Sequence, residues 1–451
     1  MGNKKKKAAD FRYDTGAAQV AWAAVGESIQ QTEIAAMIGF LCQPRPVKDG
    51  RGQPGKSRRN QYQAQLQKVQ REVEKLVALS QPAGKLSLGS HVRALEELVA
   101  RMLRVKYAVF LTNATAGFEI AYKYAGLAPG DEVIAPAITF IATIVYPLSI
   151  GAKVVLADID PRTINMDPRD VQRKITSRTK VIIPVHIGGY PVDMAPIMRL
   201  ARKHDITVIE DAAHAFGGEY RGKAIGTIGH FGSFSFHEVK NINSLGEGGI
   251  LCSNLAFGKD FPQTRFVGMD TSLQIPNWLY DVRALKGKSG YFAAGNHSST
   301  EIQAVCLASQ IKRLKKIITK RRRAATYLKR RFRGIEGIIP APMDDHNVKA
   351  TYHLYLLQID PDKVGGDIQM LKKKLALRGV VQIAHFAPLY KFRVMRQLGY
   401  DTTAIKKSCP VTEEVFNHRF THLPLYDFSP EQLSYMADMV IESVEEMKKG
   451  R

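Results

Sequence analysis

The chain has 451 residues, of which 45% are apolar and 24% charged. That length calls for more than one domain, and the composition excludes wholesale disorder and a small disulfide scaffold. Its 65 Lys and Arg against 42 Asp and Glu leave a net charge of +23, which favours an anionic partner and says nothing about fold.

Residues 1–84 read as an irregular N-terminal segment. Its start, Met1-Gly2-Asn3-Lys4, lacks the apolar stretch of a secretion signal. Ile34 to Leu41 is spaced as a short helix. Gln43 to Gln61 is basic, contains glycine and is poor in large apolar residues, which predicts a loop or disordered insertion. Tyr62 to Leu79 recovers a helical pattern.

From residue 85 to about 320, apolar runs alternate with helical patterns. The predicted strands are Ala108–Thr112, Glu132–Pro136, Lys153–Ala157, Val181–Val185 and Thr207–Glu210, followed by the short runs Ser233–His237 and Gly249–Ser253. Helices are predicted at Ala116–Ala125, Asp170–Ile175 and Ala195–His204. This alternation argues an α/β domain on a largely parallel sheet. Val133 to Ala152 is uncharged throughout, but Pro136, Pro147, Ser149 and Gly151 suit a strand, a short helix and a second strand better than a membrane span. Between Lys312 and Arg333 there are twelve basic residues and no acid. Ile311, Leu314, Ile318, Ala325, Leu328 and Phe332 recur there at helical spacing. The segment is either a solvated helix face whose long stems cover a core stripe, or an anion-binding surface. Residues 321–451 read as a smaller α+β domain ending in a helix, Pro430–Lys449.

Cys42, Cys252, Cys306 and Cys409 form no CxxC pair. They read as free thiols of a reducing, cytoplasmic compartment, and without an HExxH or a Cys/His cluster no metal site is expected. Three stretches carry chemistry. In Asn113-Ala114-Thr115-Ala116-Gly117, small residues and a hydroxyl at a strand-to-helix turn suit phosphate capture, although Thr115 also fits a plain helix cap. Asp211 ends a strand, where open α/β sheets place ligands, but an Asp there is also a common turn residue. If buried against a pyridinium nitrogen, it would hold that nitrogen protonated. Lys240 follows Phe234-Ser235-Phe236-His237 and precedes Gly246-Glu247-Gly248-Gly249. A lone loop lysine is usually a surface charge. Beside aromatic residues it can be desolvated, which frees its amine for Schiff-base chemistry.

Four motifs together give the chain a resemblance. They are Gly130-Asp131-Glu132-Val133-Ile134-Ala135-Pro136, Val208-Ile209-Glu210-Asp211-Ala212-Ala213-His214-Ala215, Phe234-Ser235-Phe236-His237 with Lys240, and Thr300-Glu301-Ile302-Gln303-Ala304. Over roughly residues 85–440 it resembles the DegT/DnrJ/StrS family of sugar aminotransferases, pyridoxal-phosphate (PLP) enzymes of the aspartate-aminotransferase fold (fold type I), which implies an α/β large domain on a mostly parallel seven-stranded sheet and a smaller α+β C-terminal domain. The resemblance implies that Lys240 carries PLP and that Asp211 pairs with its ring nitrogen. It implies that Ser235, Thr115 and Ala116 hold the phosphate, that Phe140 stacks on the ring, and that His214 flanks its 3-hydroxyl. Asn296 would reach the phosphate of a neighbouring subunit, making a homodimer with shared sites, and His385 would line the substrate site. The implied reaction carries an amino group from glutamate or glutamine to a keto-sugar, which a nucleotide would make anionic.

The chain departs from the family pattern in four places. Asn113-Ala114-Thr115 replaces the common Ser-Gly-Thr, one extra residue separates Lys240 from Gly246, Ser298 stands where an Arg is common, and the N-terminal segment carries the basic insertion. Two other readings compete. One is amination of a keto-cyclitol or free keto-sugar on the same scaffold. The other is a regulatory or nucleic-acid-binding PLP-fold protein, against which the Lys240–Asp211 pair weighs. No membrane association is expected.

Overall fold

The computed structural model describes residues 29–42, 56–80, 86–272, 275, 280–382 and 386–450. Two compact units divide the chain, Met1–Gly89 and Ser90–Arg451.

In the first unit two helices, α1 (Gln31–Leu41) and α2 (Lys56–Ala78), pack together. The Tyr62 hydroxyl donates to the carbonyl of Gly39 at 3.4 Å. The helix begins at Lys56, inside the stretch expected to be a loop. Basic character, glycine and the shortage of large apolar residues set that expectation, yet Gly50, Gly52 and Gly55 all precede Lys56, and Lys, Arg and Gln are good helix formers. The rest of the insertion, residues 43–55, lies outside the described residues.

The second unit is built on a seven-stranded sheet. Its strands are β1 (Tyr107–Leu111), β2 (Glu132–Pro136), β3 (Lys153–Ala157), β4 (Thr179–Ile182), β5 (Thr207–Asp211), β6 (Phe231–Ser235) and β7 (Gly249–Ser253). They lie in the order β1-β7-β6-β5-β4-β2-β3. β7 pairs antiparallel with both neighbours and every other pairing is parallel. Such strands are covered on both faces, and every residue of β2 and β5 is buried, the polar Glu132, Thr207, Glu210 and Asp211 included. Helix α3 (Ser90–Leu103) buries Val92, Leu95, Val99 and Leu103 against the sheet's β1 end. Helix α4 (Ala114–Tyr124) leaves the end of β1 and crosses β7 and β6.

Beyond the sheet, α5 (Glu301–Ile311) leads into the basic helix α6 (Leu314–Phe332). The predicted stripe of α6 is buried, and Arg321 is buried with it. A three-stranded antiparallel sheet follows, made of β8 (Ile338–Ile339), β9 (Leu354–Ile359) and β10 (Phe420–Pro424). The terminal helix α7 (Pro430–Lys449) covers it with Met436, Val440, Val444 and Met447. No helix among the described residues is long and apolar enough to cross a membrane.

Candidate functional site

The carboxyl end of β5 and the turn after β6 open onto a cavity of about 350 Å³. Thr115, Phe140, Asp211, His214, Ser235 and Lys240 all line it, although they are spread over residues 115–240. A larger cleft of about 750 Å³ runs along the edge strand β3, walled by Glu132, Arg173 and Tyr400, and contains none of these residues.

Helix α4 supplies one wall. Asn113 caps it, its side-chain oxygen accepting from Ala116 N–H at 2.9 Å. The cap is therefore Asn113 rather than Thr115, and the Ala116 amide is already spent on it. The helix start is clamped from below. Ser233 Oγ donates to the carbonyl of Ala114 at 3.0 Å, and Gly249 lies so close that a Cβ there would come within 2.2 Å of the Asn113 carbonyl carbon. Glycine at 249 is thus a condition for the approach of β7 to the turn.

Asp211 ends β5, 5% exposed. One carboxylate oxygen accepts from Thr143 Oγ1 at 2.8 Å and the other from Ala213 N–H at 3.1 Å. Burial raises its pKa, while those two donors and the charges of Lys240 and His186 pull it back. Among the described residues no cation forms an ion pair with it.

Lys240 sits in a turn whose backbone is closed by Lys240 N–H to the His237 carbonyl at 2.9 Å and Glu238 N–H to the Gly246 carbonyl at 3.0 Å. Helix α5 braces this loop. Gln303 Nε2 donates to the Glu247 carbonyl and Gln310 Nε2 to the Asn243 carbonyl, each at 2.8 Å. This explains the Thr300–Ala304 motif physically. Thr300 and Gln303 form a reciprocal capping box, and the Glu301 carboxylate accepts from the N–H groups of His91 and Val92. Burial lowers the Lys240 amine to about 8, against the opposing charges of Asp211 and Glu247.

His214 is nearly buried, its ring stacked on His353 at 4.6 Å and tilted against Phe386 at 5.5 Å. Phe140 stays 60% exposed at the cavity's rim. Asn296 does not line the cavity; its side chain is exposed and its amide oxygen accepts from Ser298 N–H. His385 lies outside the described residues. Sequence reasoning missed Thr143, and also Thr139, Val185 and Phe386 in the cavity wall. Nothing in their sequence surroundings marks them, because only the fold brings them to Asp211 and Lys240.

The profile of the DegT/DnrJ/EryC1/StrS aminotransferase family matches residues 67–442. The chain is 32% identical over 378 residues to the spore coat polysaccharide biosynthesis protein SpsC of Bacillus subtilis, covering 82% of this chain and 92% of that one. The PLP form of Spr1654 from Streptococcus pneumoniae superposes with a TM-score of 0.70 at 27% identity, over 81% of this chain and 94% of its own. PseC of Helicobacter pylori, an aminotransferase involved in the biosynthesis of pseudoaminic acid, gives a TM-score of 0.69 at 26% identity, over the same shares.

Proposed function

The chain belongs to the DegT/DnrJ/EryC1/StrS aminotransferase family, and from that premise we propose that it transfers an amino group from glutamate or glutamine to a nucleotide-linked keto-sugar. It is a PLP-dependent transaminase with a small-molecule donor and acceptor. The acceptor class draws on two supports. SpsC is named for spore coat polysaccharide biosynthesis and PseC for the biosynthesis of pseudoaminic acid, and a net charge of +23 suits a nucleotide's phosphates.

One observation carries the chemistry. A buried carboxylate with no ion pair among the described residues and a lysine amine lowered to about 8 face the same cavity. That donor set fits the cofactor. Asp211 offers a negative charge for a protonated ring nitrogen. The start of α4, with the hydroxyls of Thr115 and Ser235, offers donors for a phosphate. When bound, PLP supplies an electron sink for the bond broken at the donor's α-carbon. Asp211 holds the ring nitrogen's proton in place. Lys240 Nζ takes the proton from the donor's α-carbon, a task suited to an amine whose pKa lies near neutrality. Phe140 presents an apolar face at the rim, and His214 lines the same cavity as Asp211.

We assign the division 1–84, 85–320 and 321–451 to an N-terminal segment, a cofactor domain and a small domain. The active unit is a homodimer in the cytoplasm, Asn296 serving the partner's phosphate. Its exposure leaves it available for that role. The functional reading is tested by converting the enzyme to its pyridoxamine form and offering keto-sugars with and without a nucleotide, followed by cofactor absorbance. Reoxidation by nucleotide-linked sugars and not by free ones is expected. Reoxidation by free keto-sugars or keto-cyclitols alone would replace the acceptor.

A further inference from the structure

A strained turn, Ala350–His353, joins the basic helix to the lysine loop. Tyr352 has a φ of +48°, a left-handed conformation that a bulky residue keeps only when its surroundings over-determine it. The surroundings here do so. Arg322 Nε donates to the Ala350 carbonyl at 3.0 Å, and Arg321 to the carbonyls of His353 at 3.2 Å and Tyr352 at 3.5 Å. Thr351 N–H donates to the Gly189 carbonyl at 3.0 Å, and its hydroxyl to the His214 carbonyl at 2.6 Å. The Tyr352 hydroxyl donates to the Asp344 carboxylate at 2.8 Å.

The turn delivers one side chain towards the site. The His353 ring stacks on His214, with an interplanar angle of 21°, and its Nδ1 lies 3.1 Å from Asn241 Oδ1. An amide oxygen only accepts, so this arrangement puts the hydrogen on Nδ1. Asn241 is the residue after Lys240. Its amide nitrogen is buried and has no acceptor among the described residues, which leaves the bond to His353 as the tether of that side chain. His353 does not line the cavity itself.

We propose that His353 is a positioning residue. It fixes Asn241, and through Asn241 the backbone that aims Lys240, while its ring sets the plane of His214. This rests on the reading of Lys240 as the cofactor lysine. The charged and titratable groups around the pair are Asp211, Glu247, His214 and His237 on the lysine's side, and His214, Arg321 and, beyond Phe386, His422 on the histidine's side.

The test uses the cofactor-free full chain. Trinitrobenzenesulfonate labelling of Lys240 is followed against pH by peptide mapping. The wild-type midpoint is expected near 8. His353→Leu should move it upward by about one unit, as a loosened Lys240 regains water. His353→Asn, which replaces the Nδ1 donor with an amide, should restore it. In the loaded enzyme, His353→Leu should slow the donor half-reaction about tenfold with KM little changed. Asn241→Ala should do the same, and the double variant no worse than either, because one bond is being broken twice. Equal midpoints in His353→Leu and wild type, or losses that multiply in the double variant, overturn the proposal. If His353→Leu does not fold, His353→Asn and Asn241→Ala decide it, since a tether predicts wild-type behaviour for the first and loss for the second. Borohydride labelling of a lysine other than Lys240 would instead sink the cofactor reading, while the midpoint shift would still report the hold of His353 on Lys240.

Discussion

Thr143 Oγ1 donates to Asp211 Oδ2 at 2.8 Å in a place that water barely reaches. Burial raises the Asp211 carboxyl, and this hydroxyl heads the effects that pull it back. Thr143→Val removes the donor, so the carboxylate form needs a higher pH to persist. The acid limb of the donor half-reaction should move up by about one pH unit, with the loss greatest at low pH and vanishing at high pH. Single-turnover rates across pH check this. Superimposable profiles would show that the hydroxyl does not tune Asp211.

Asp211→Asn removes the charge itself. Turnover should fall about a hundredfold or more, by analogy with the loss of one preorganised electrostatic partner. PLP affinity should fall less, because the phosphate is held elsewhere. Spectroscopic titration with PLP and steady-state rates separate the two, and near-wild-type turnover would reduce Asp211 to a turn residue.

Lys240 makes a prediction about stability as well as chemistry. Borohydride reduction should place the pyridoxyl group on Lys240, and Lys240→Ala should lose steady-state transamination while staying folded. In the cofactor-free chain the amine is lowered to about 8 by burial, so the unfolded chain binds that proton more tightly. The penalty is therefore full below about pH 8 and fades as pH rises through the ordinary lysine value of about 10.4. Lys240→Met should raise the apparent Tm of the cofactor-free protein by about 2–5 °C at pH 7, and by less at pH 10. A drop in Tm at pH 7 would contradict the burial argument.

Much of the frame was legible because strands in the middle of a covered sheet, whatever their direction, carry runs of apolar residues. β2, β3 and β7 fall on their predicted residues, and α7 does too. The site was harder in proportion to the span of its contacts. Lys240 and Asp211 stand in recognisable local strings. Thr143 sits in an uncharged run where one hydroxyl among several looks alike, and it reaches Asp211 only across 68 positions. His353 is a lone histidine beside apolar residues, and its meeting with Asn241 spans 112. Arg321 is one of twelve basic residues in a run that reads either as a solvated helix face or as an anion-binding surface, yet it turns inward to two backbone carbonyls that no pattern of its own helix foretells.

The phosphate turn can be tested without touching a polar group. Gly249→Ala would drive a methyl to 2.2 Å from the Asn113 carbonyl carbon, where backbone must yield. Overpacking of this kind costs about 1–3 kcal/mol. It should weaken PLP binding as well as stability, because the contact is the helix start itself. Equilibrium PLP titration of the soluble variant checks it, and unchanged affinity would separate the turn from the phosphate.

The shared-site proposal predicts complementation. Lys240→Ala and Asn296→Asp should each be inactive alone. If Asn296 serves the partner, a mixed dimer has one site with both lesions and one with neither. Random exchange then gives half hybrids with one good site each, restoring about a quarter of wild-type activity. Full activity in Asn296→Asp alone, or none in demonstrable hybrids, would remove the cross-subunit role.

The pairing of β1 with β7 has a consequence for biosynthesis. Tyr107 faces Ser253 and Leu111 faces Gly249, so the first strand of the sheet waits for a partner made about 140 residues later. At translation rates of about 5–20 residues per second that wait lasts roughly 7–28 seconds. Until β7 arrives, the turn at Asn113 has no floor. A ribosome stalled before residue 253 should therefore carry a chain unable to capture the cofactor, however much of β1 to β6 has emerged. Cofactor capture is thereby timed to a late step of folding, after the whole sheet has been synthesised.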